Sequence, residues 1–93
     1  MALTETIITG STAAQEVSQR APAVLYAVRV GGTANLVGTI TLSESLPAVT
    51  VKETIPAAAT PGTEREHFGA VINGIRITLS NAADTAIVIW GPA

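Results

Sequence analysis

The sequence predicts an all-β protein, an antiparallel β-sandwich of the jelly-roll or immunoglobulin-like type with about seven or eight short strands. Apolar and polar residues alternate with a period of two over many short segments, and turn-forming residues separate these segments. No segment has a convincing helical pattern. Because periodicity does not determine strand order, both sandwich types stay open.

Composition predicts a single small domain with a thin core. The chain has 93 residues, of which 47% are hydrophobic but only 3% aromatic. A chain of this length buries only roughly 60–65% of its unfolded surface. It has no cysteine, so disulfides and thiolate metal sites are excluded. Association with other molecules would supply stability that large aromatic side chains usually provide.

Charge and hydropathy argue against two classes of partner. The net charge is −2, and the basic residues are scattered along the chain, so we expect no nucleic acid and no membrane surface as partner. The N-terminus lacks the features of a secretory signal, and no apolar run reaches the roughly 20 residues that span a bilayer. We expect assembly in the cytoplasm of the producing cell.

The chain divides into an N-terminal part, 1–22, predicted as an extended arm or the first strands, and a single β-sandwich domain over 23–93. Within the first part, 12–20 fits either a helix or a strand. Thr12 and Gln15 imitate a capping box. A short helix with so small an apolar stripe would bury little, so a strand is favoured.

Two further strands are predicted as a hairpin over 24–42. The alternation in 24–30 predicts a core face formed by Val24, Tyr26, Val28 and Val30. Gly31 and Gly32 then predict a tight turn. In the next strand, 49–55, Glu53 falls on the apolar side, which predicts a bulge, an edge position or a strand end there. A loop is predicted at 56–63 because it contains two prolines.

A second hairpin is predicted over 73–91. Its first strand places Ile75, Ile77 and Leu79 on one face. Its second strand is apolar on both faces, with Ile87 and Ile89 on one and Ala86, Val88 and Trp90 on the other. A strand covered on both sides needs two layers. We expect another molecule to supply at least one of them.

Titratable residues give no strong sign of catalysis. The densest cluster is 64–67, where Glu64 and Glu66 share a strand face and His67 lies on the other. A solvated strand start explains it better than a cation site. Asp84 is predicted to bond amides of its own turn. We find no nucleophile elbow and no phosphate-binding glycine pattern. The predictions are therefore no enzyme, no catalytic residue, no cofactor and no metal.

Trp90 has three possible roles: a core residue, an interface anchor or a platform for stacking sugars. Tryptophan is enriched at binding hot spots because it buries a large area and keeps an N–H to satisfy. Carbohydrate sites usually combine several aromatic residues. This chain has one Trp, one Tyr and one Phe, so a sugar platform is the least favoured role.

Several segments together resemble small virion proteins of tailed bacteriophages. These are the strand AVLYAVRV at 23–30, a Gly/Thr/Ala turn, a Thr-rich strand and VKETIPAAA at 51–59. The strand NGIRITLS at 73–80, followed by a loop and IVIW at 87–90, is similar to the same group. The likeness covers about three quarters of the chain and lies in the pattern of residues rather than in a chemical motif.

This resemblance implies a non-enzymatic β-sandwich that decorates or cements a capsid. The expected partners are the major capsid protein and further copies of the chain, as a dimer or trimer, and the expected location is the virion surface. The apolar last strand and the extended N-terminus give the predicted interface, Leu3, Ile7, Ala86, Val88 and Trp90. The alternative is a fibre or tail module for host adhesion or carbohydrate binding.

Overall fold

The computed structural model describes residues 3–18 and 22–93, and these residues form eight β-strands and no helix. An all-β fold is therefore confirmed. The strands are β1 (Thr4–Thr9), β2 (Gln15–Ser18), β3 (Ala23–Val30), β4 (Ile40–Glu44), β5 (Thr50–Ile55), β6 (Glu64–Ile72), β7 (Ile75–Leu79) and β8 (Thr85–Pro92).

The strands form two antiparallel sheets of four. Sheet A has the order β1-β8-β3-β6, and sheet B has the order β2-β7-β4-β5. The first strand thus pairs with the last, the second with the seventh, the third with the sixth and the fourth with the fifth. Successive pairs fall in opposite sheets. This is the winding of a jelly roll, which decides between the two predicted sandwich types.

The core lies between the two sheets and is almost entirely aliphatic. Ile75, Ile77 and Leu79 on β7 are fully buried, as their alternation predicts. The opposing sheet contributes inward-facing residues of β3 and β8. Besides β7, the buried cluster comprises Ile8, Ala23, Leu25, Val28, Val30, Leu36, Ile40, Leu42, Ile55, Ile72, Ala86 and Val88.

Both predicted hairpins are wrong. β3 and β4 lie in different sheets, as do β7 and β8. Among the strands described, only β4 and β5 are neighbours in both sequence and sheet. The segments 31–39 and 80–84 cross from one sheet to the other instead of turning back. A period of two reports which side chains share a face, but it does not report which strand lies alongside.

The crossing segment 31–39 is held by the buried carboxylate of Asp84. Its oxygens accept the backbone N–H of Val37 at 2.8 Å and of Gly38 at 2.7 Å. Leu36 enters the core from this loop and exchanges backbone hydrogen bonds with Ala58 and Ala59. Asp84 therefore bonds amides distant in sequence, and the prediction that it bonds its own turn is wrong.

A bulge in β3 changes which residues face the core. Leu25 and Ala27 have consecutive partners on β8, so Tyr26 is an extra residue in that strand. The core face is Ala23, Leu25, Val28 and Val30, whereas Val24 turns outward. The predicted core face was right at Val28 and Val30. Val24 is buried, as predicted, but lies outside the core cluster, and Tyr26 is only half-buried, because a bulge reverses the alternation on one side of it.

Glu53 lies on an edge strand next to a bulge, as predicted. It pairs with the buried Leu42, so its side chain points between the sheets. There it meets Arg65 of β6 at 3.8 Å. An inward-pointing charge on an edge strand discourages further strand pairing. This side of the sandwich is thus closed by an ion pair.

The N-terminal part contributes strands to the sandwich. β1 is an edge strand of sheet A, and β2 is an edge strand of sheet B. Of the ambiguous segment 12–20, residues 15–18 are strand, as favoured above, and 19 and 20 lie outside the described residues. The segment 1–22 therefore includes the first two strands rather than a separate arm.

Candidate functional site: the outer face of sheet A

The outer surface of sheet A is apolar at its centre. On β8, Ala86 and Val88 point into the core, so Ile87 and Ile89 point outward, where both are half-buried. Ile7 of β1 lies opposite Ile87, and Ala27 of β3 lies opposite Ile89. With Val24 these residues form a surface that we call the outer apolar face: Ile7, Val24, Ala27, Ile87 and Ile89. Val24 and Ala27 are already buried within the single chain, so the three isoleucines provide its exposed area.

Charged residues surround the outer apolar face. Glu5 lies opposite Ile89 on one side, and Glu66 lies opposite Ala27 on the other. Arg29, opposite Ile87, donates from Nε to Glu64 Oε1 at 3.1 Å. An apolar centre within a polar rim is the usual anatomy of a protein interface.

A wide bulge in β6 holds one aromatic side chain out from the edge of the same sheet. Residues 67–69 lie between the β6 partners of Leu25 and Ala27. Phe68 has a φ of 52° and Gly69 a φ of 80°. Phe68 is 85% exposed, the most exposed of the large hydrophobic residues described. A non-glycine residue in this region costs on the order of 1–3 kcal/mol, so the side chain is held outward at some expense of stability.

The outer surface of sheet B has different chemistry. Thr54, Thr41 and Thr78 lie side by side across β5, β4 and β7. Nearby, Arg76 Nε lies 2.9 Å from Glu16 Oε1, an ion pair whose N–H does not point directly at the oxygen. The centre of this surface is polar and suited to water, while at its edge Val51 of β5, opposite Ser43, is 60% exposed.

The structure places the five predicted interface residues in three environments. Leu3 and Ile7 are 53% and 61% exposed. Ala86 and Val88 are fully buried, because sheet B covers them, so the prediction that they form an interface is wrong for this chain. Trp90 packs against the core, and its Nε1 donates to Thr6 Oγ1 at 2.9 Å. Its environment is that of a core residue.

Sequence reasoning missed Ile87, Ile89 and Phe68 as surface candidates. It separated the two faces of β8 correctly. It then took the face of Ala86 and Val88 as the contact surface, although that face lies on the core. Periodicity alone does not say which face lies inward. For Phe68 a signal existed, since an isolated glycine within a strand, here Gly69, often marks a bulge.

The candidate acid cluster does not converge. Glu64 is engaged by Arg29, while Glu66 is exposed and His67 lies in the bulge. In the two described ranges no three His, Asp or Glu side chains are grouped to hold a metal ion. A cleft of about 250 Å³ adjoins Asp84, but both oxygens of that carboxylate already accept backbone amides.

Comparisons with protein-family models, curated proteins and solved structures give no match to this chain. The resemblance to phage virion proteins therefore stays a prediction. Within residues 3–18 and 22–93 there is also no helix long and apolar enough to cross a membrane.

Proposed function

We propose that this protein is a non-enzymatic structural virion protein, a capsid decoration protein that self-associates and clamps neighbouring major capsid protein subunits. The observation that carries the proposal is the outer apolar face, since its isoleucines are left partly uncovered by the chain's own fold. The sequence resemblance supplies the virion as the setting. A jelly roll is also a fold found in viral capsid proteins.

The chemistry of the outer apolar face suits permanent packing against another polypeptide. Covering apolar surface contributes roughly 25 cal/mol for each Å² removed from water. This contribution does not depend on charge, and salt at moderate concentration screens only the charges of the rim. Binding through this face should therefore persist in salt and fail in denaturant.

Phe68 is suited to anchor such a contact. It projects from the edge of sheet A on a backbone that disfavours it, and its side chain is 85% exposed. An aromatic anchor that fills a pocket on the partner is a common centre of binding energy. The proposed clamp uses the outer apolar face and Phe68 together.

The test is reconstitution of the protein with empty particles of its major capsid protein. We expect co-sedimentation that survives moderate NaCl and is released by guanidinium or heat. Release by NaCl alone, or absence of binding, would contradict the proposal. A glycan array with the isolated protein tests the adhesion alternative, and saturable sugar binding would favour that function instead.

A further inference from the structure

The free edge of β1 is more regular than the other sheet edges. Its six residues, 4–9, pair with β8 without any shift in register. Each of the other three edge strands within the described ranges carries extra residues opposite its neighbour: Val17 in β2, Lys52 in β5 and 67–69 in β6. Bulges of this kind, and inward charges such as Glu53, prevent a further strand from pairing.

The sequence of β1 also favours strand addition. Five of its six residues are β-branched, Glu5 is its single charge, and it contains no proline. Every second residue of an edge strand leaves its backbone N–H and C=O without a strand partner. A regular edge with these residues is a template for another extended segment.

We propose that β1 of a second copy of this chain pairs antiparallel with this edge about a two-fold axis. The two sheets A then form one continuous sheet of eight strands. This inference rests on the self-association included in the proposed function and names the surface that provides it. The same patch serves both copies, as a two-fold interface requires.

Side-chain alternation restricts the register of this pairing. Residues directly opposite in antiparallel strands share a face, so outward Glu5, Ile7 and Thr9 must oppose one another, as must inward Thr4, Thr6 and Ile8. Two registers give five opposed pairs. One centres on Ile7 and the other on Thr6.

The register centred on Ile7 has the better side-chain contacts. It places Ile7 opposite Ile7 of the second copy and Glu5 opposite Thr9. The register centred on Thr6 instead places each Glu5 opposite an exposed isoleucine. A third register, centred on Glu5, opposes two like charges, which is destabilising. We therefore assign Ile7 to the two-fold axis.

This dimer extends the outer apolar face across the axis. Ile87 lies beside Ile7 within one chain, so the row becomes Ile87, Ile7, Ile7 and Ile87 over the two copies. The row doubles the apolar surface offered to a capsid. It also covers one side of the Ile7 side chain, which is 61% exposed in the single chain.

Cysteine cross-linking of the full chain tests the register, because the protein has no cysteine of its own. Opposed Cβ atoms lie about 4.5–5.5 Å apart, within reach of oxidation or a short methanethiosulfonate linker. We expect I7C to form a covalent dimer readily. E5C alone should not, whereas E5C combined with T9C should. V51C is the matched control, with 60% exposure on a bulged edge.

Mass in solution completes the test. We expect wild-type protein to reach twice its 9.4 kDa chain mass as concentration rises, and I7K but not V51K to remain at the single mass. A wild-type dimer without I7C cross-linking would overturn the inference and leave self-association standing. A wild-type monomer that binds capsids would overturn the inference and the proposed self-association, and would leave only the capsid-binding part of the proposed function standing. A monomer that binds none would overturn both proposals.

Discussion

The outer faces of the two sheets differ in what each leaves exposed. Sheet A presents isoleucines on its central strand, whereas sheet B presents a row of threonines and the Glu16–Arg76 ion pair. Both sheets have the same number of strands and equally buried inner faces. Folding alone therefore does not explain the difference.

The outer faces of the two sheets are therefore suited to different surroundings. A sheet with one face on the core and one in water normally alternates apolar and polar residues, as β7 does. β8 departs from this pattern at Ile87 and Ile89. At its centre, sheet A is thus suited to packing against protein, whereas the centre of sheet B is suited to solvent.

The largest effect should come from placing a charge in the outer apolar face. We expect I89K to weaken capsid binding by at least about 30-fold, which corresponds to roughly 2 kcal/mol, because binding would have to desolvate the lysine, and only Glu5 on the neighbouring strand lies opposite to pair with it. The free energy of unfolding should fall by only about 1 kcal/mol, since Ile89 is half-exposed. Co-sedimentation and urea titration measure the two quantities.

T78K is the matched control for I89K. It introduces the same charge on the central part of sheet B's outer face, where Thr78 is also half-exposed. Capsid binding should stay as in the wild type. Equal losses of binding in both variants would remove the distinction between the faces.

The next effect concerns Phe68 and has opposite signs for binding and stability. We expect F68N to raise the free energy of unfolding by about 0.5–1 kcal/mol, because asparagine accepts a positive φ more readily than phenylalanine. Capsid binding should fall by roughly tenfold, since an exposed aromatic anchor is lost. Urea titration and co-sedimentation check the two directions.

V71N, on the same strand and 61% exposed, is the control for the stability change of F68N only, because Val71 lies opposite Val24 of the outer apolar face. It should not gain stability, because it relieves no positive φ and introduces a residue disfavoured in strands. If F68N also lost stability, Phe68 would be serving the fold rather than a partner.

A smaller effect is expected on the outer face of sheet B. Removing the charge of Glu16 by E16Q breaks its ion pair with Arg76, which is partly exposed. We expect a loss of at most about 1 kcal/mol in unfolding free energy, and this loss should vanish at high salt. Thermal unfolding at low and high salt measures it. A large loss, or any loss of capsid binding, would mean that sheet B also serves a contact.

The smallest expected effect depends on pH. The backbone N–H of Asn73, and then Lys52, lower the pKa of Glu44 below its ordinary value, despite an opposing effect of desolvation. Because the folded pKa is the lower one, the resulting stability is present at neutral pH and is lost as pH falls from about 4.5. In urea titrations at several pH values, E44Q should reduce the fall in unfolding free energy between neutral and acidic pH. An unchanged pH dependence of the unfolding free energy would contradict the attribution of this effect to Glu44.

The sequence predicts which side chains share a strand face better than it predicts which strands pair in a sheet. The alternation of β7 identified its three core residues, and β8 was correctly recognised as apolar on both sides. Pairing of β1 with β8 joins residues more than 70 positions apart, and no local pattern encodes it. The hairpin predictions failed for this reason.

The candidate site was only partly predictable for a related reason. Ile7 was named from its place in an extended N-terminus, and its exposure follows from an edge position. Ile87 and Ile89 were not named as interface residues, because periodicity separates two faces without orienting them. Phe68 depends on a bulge, which changes the spacing that sequence analysis relies on.

The most direct test of the central claim is cysteine labelling of the two outer faces, in free protein and on assembled particles. I87C reports on sheet A and T78C on sheet B, in a chain with no other thiol. Assembly should slow the labelling of I87C strongly and leave T78C unchanged. Equal labelling of I87C in the free and assembled protein would show that the outer apolar face stays open to water, and would contradict the claim.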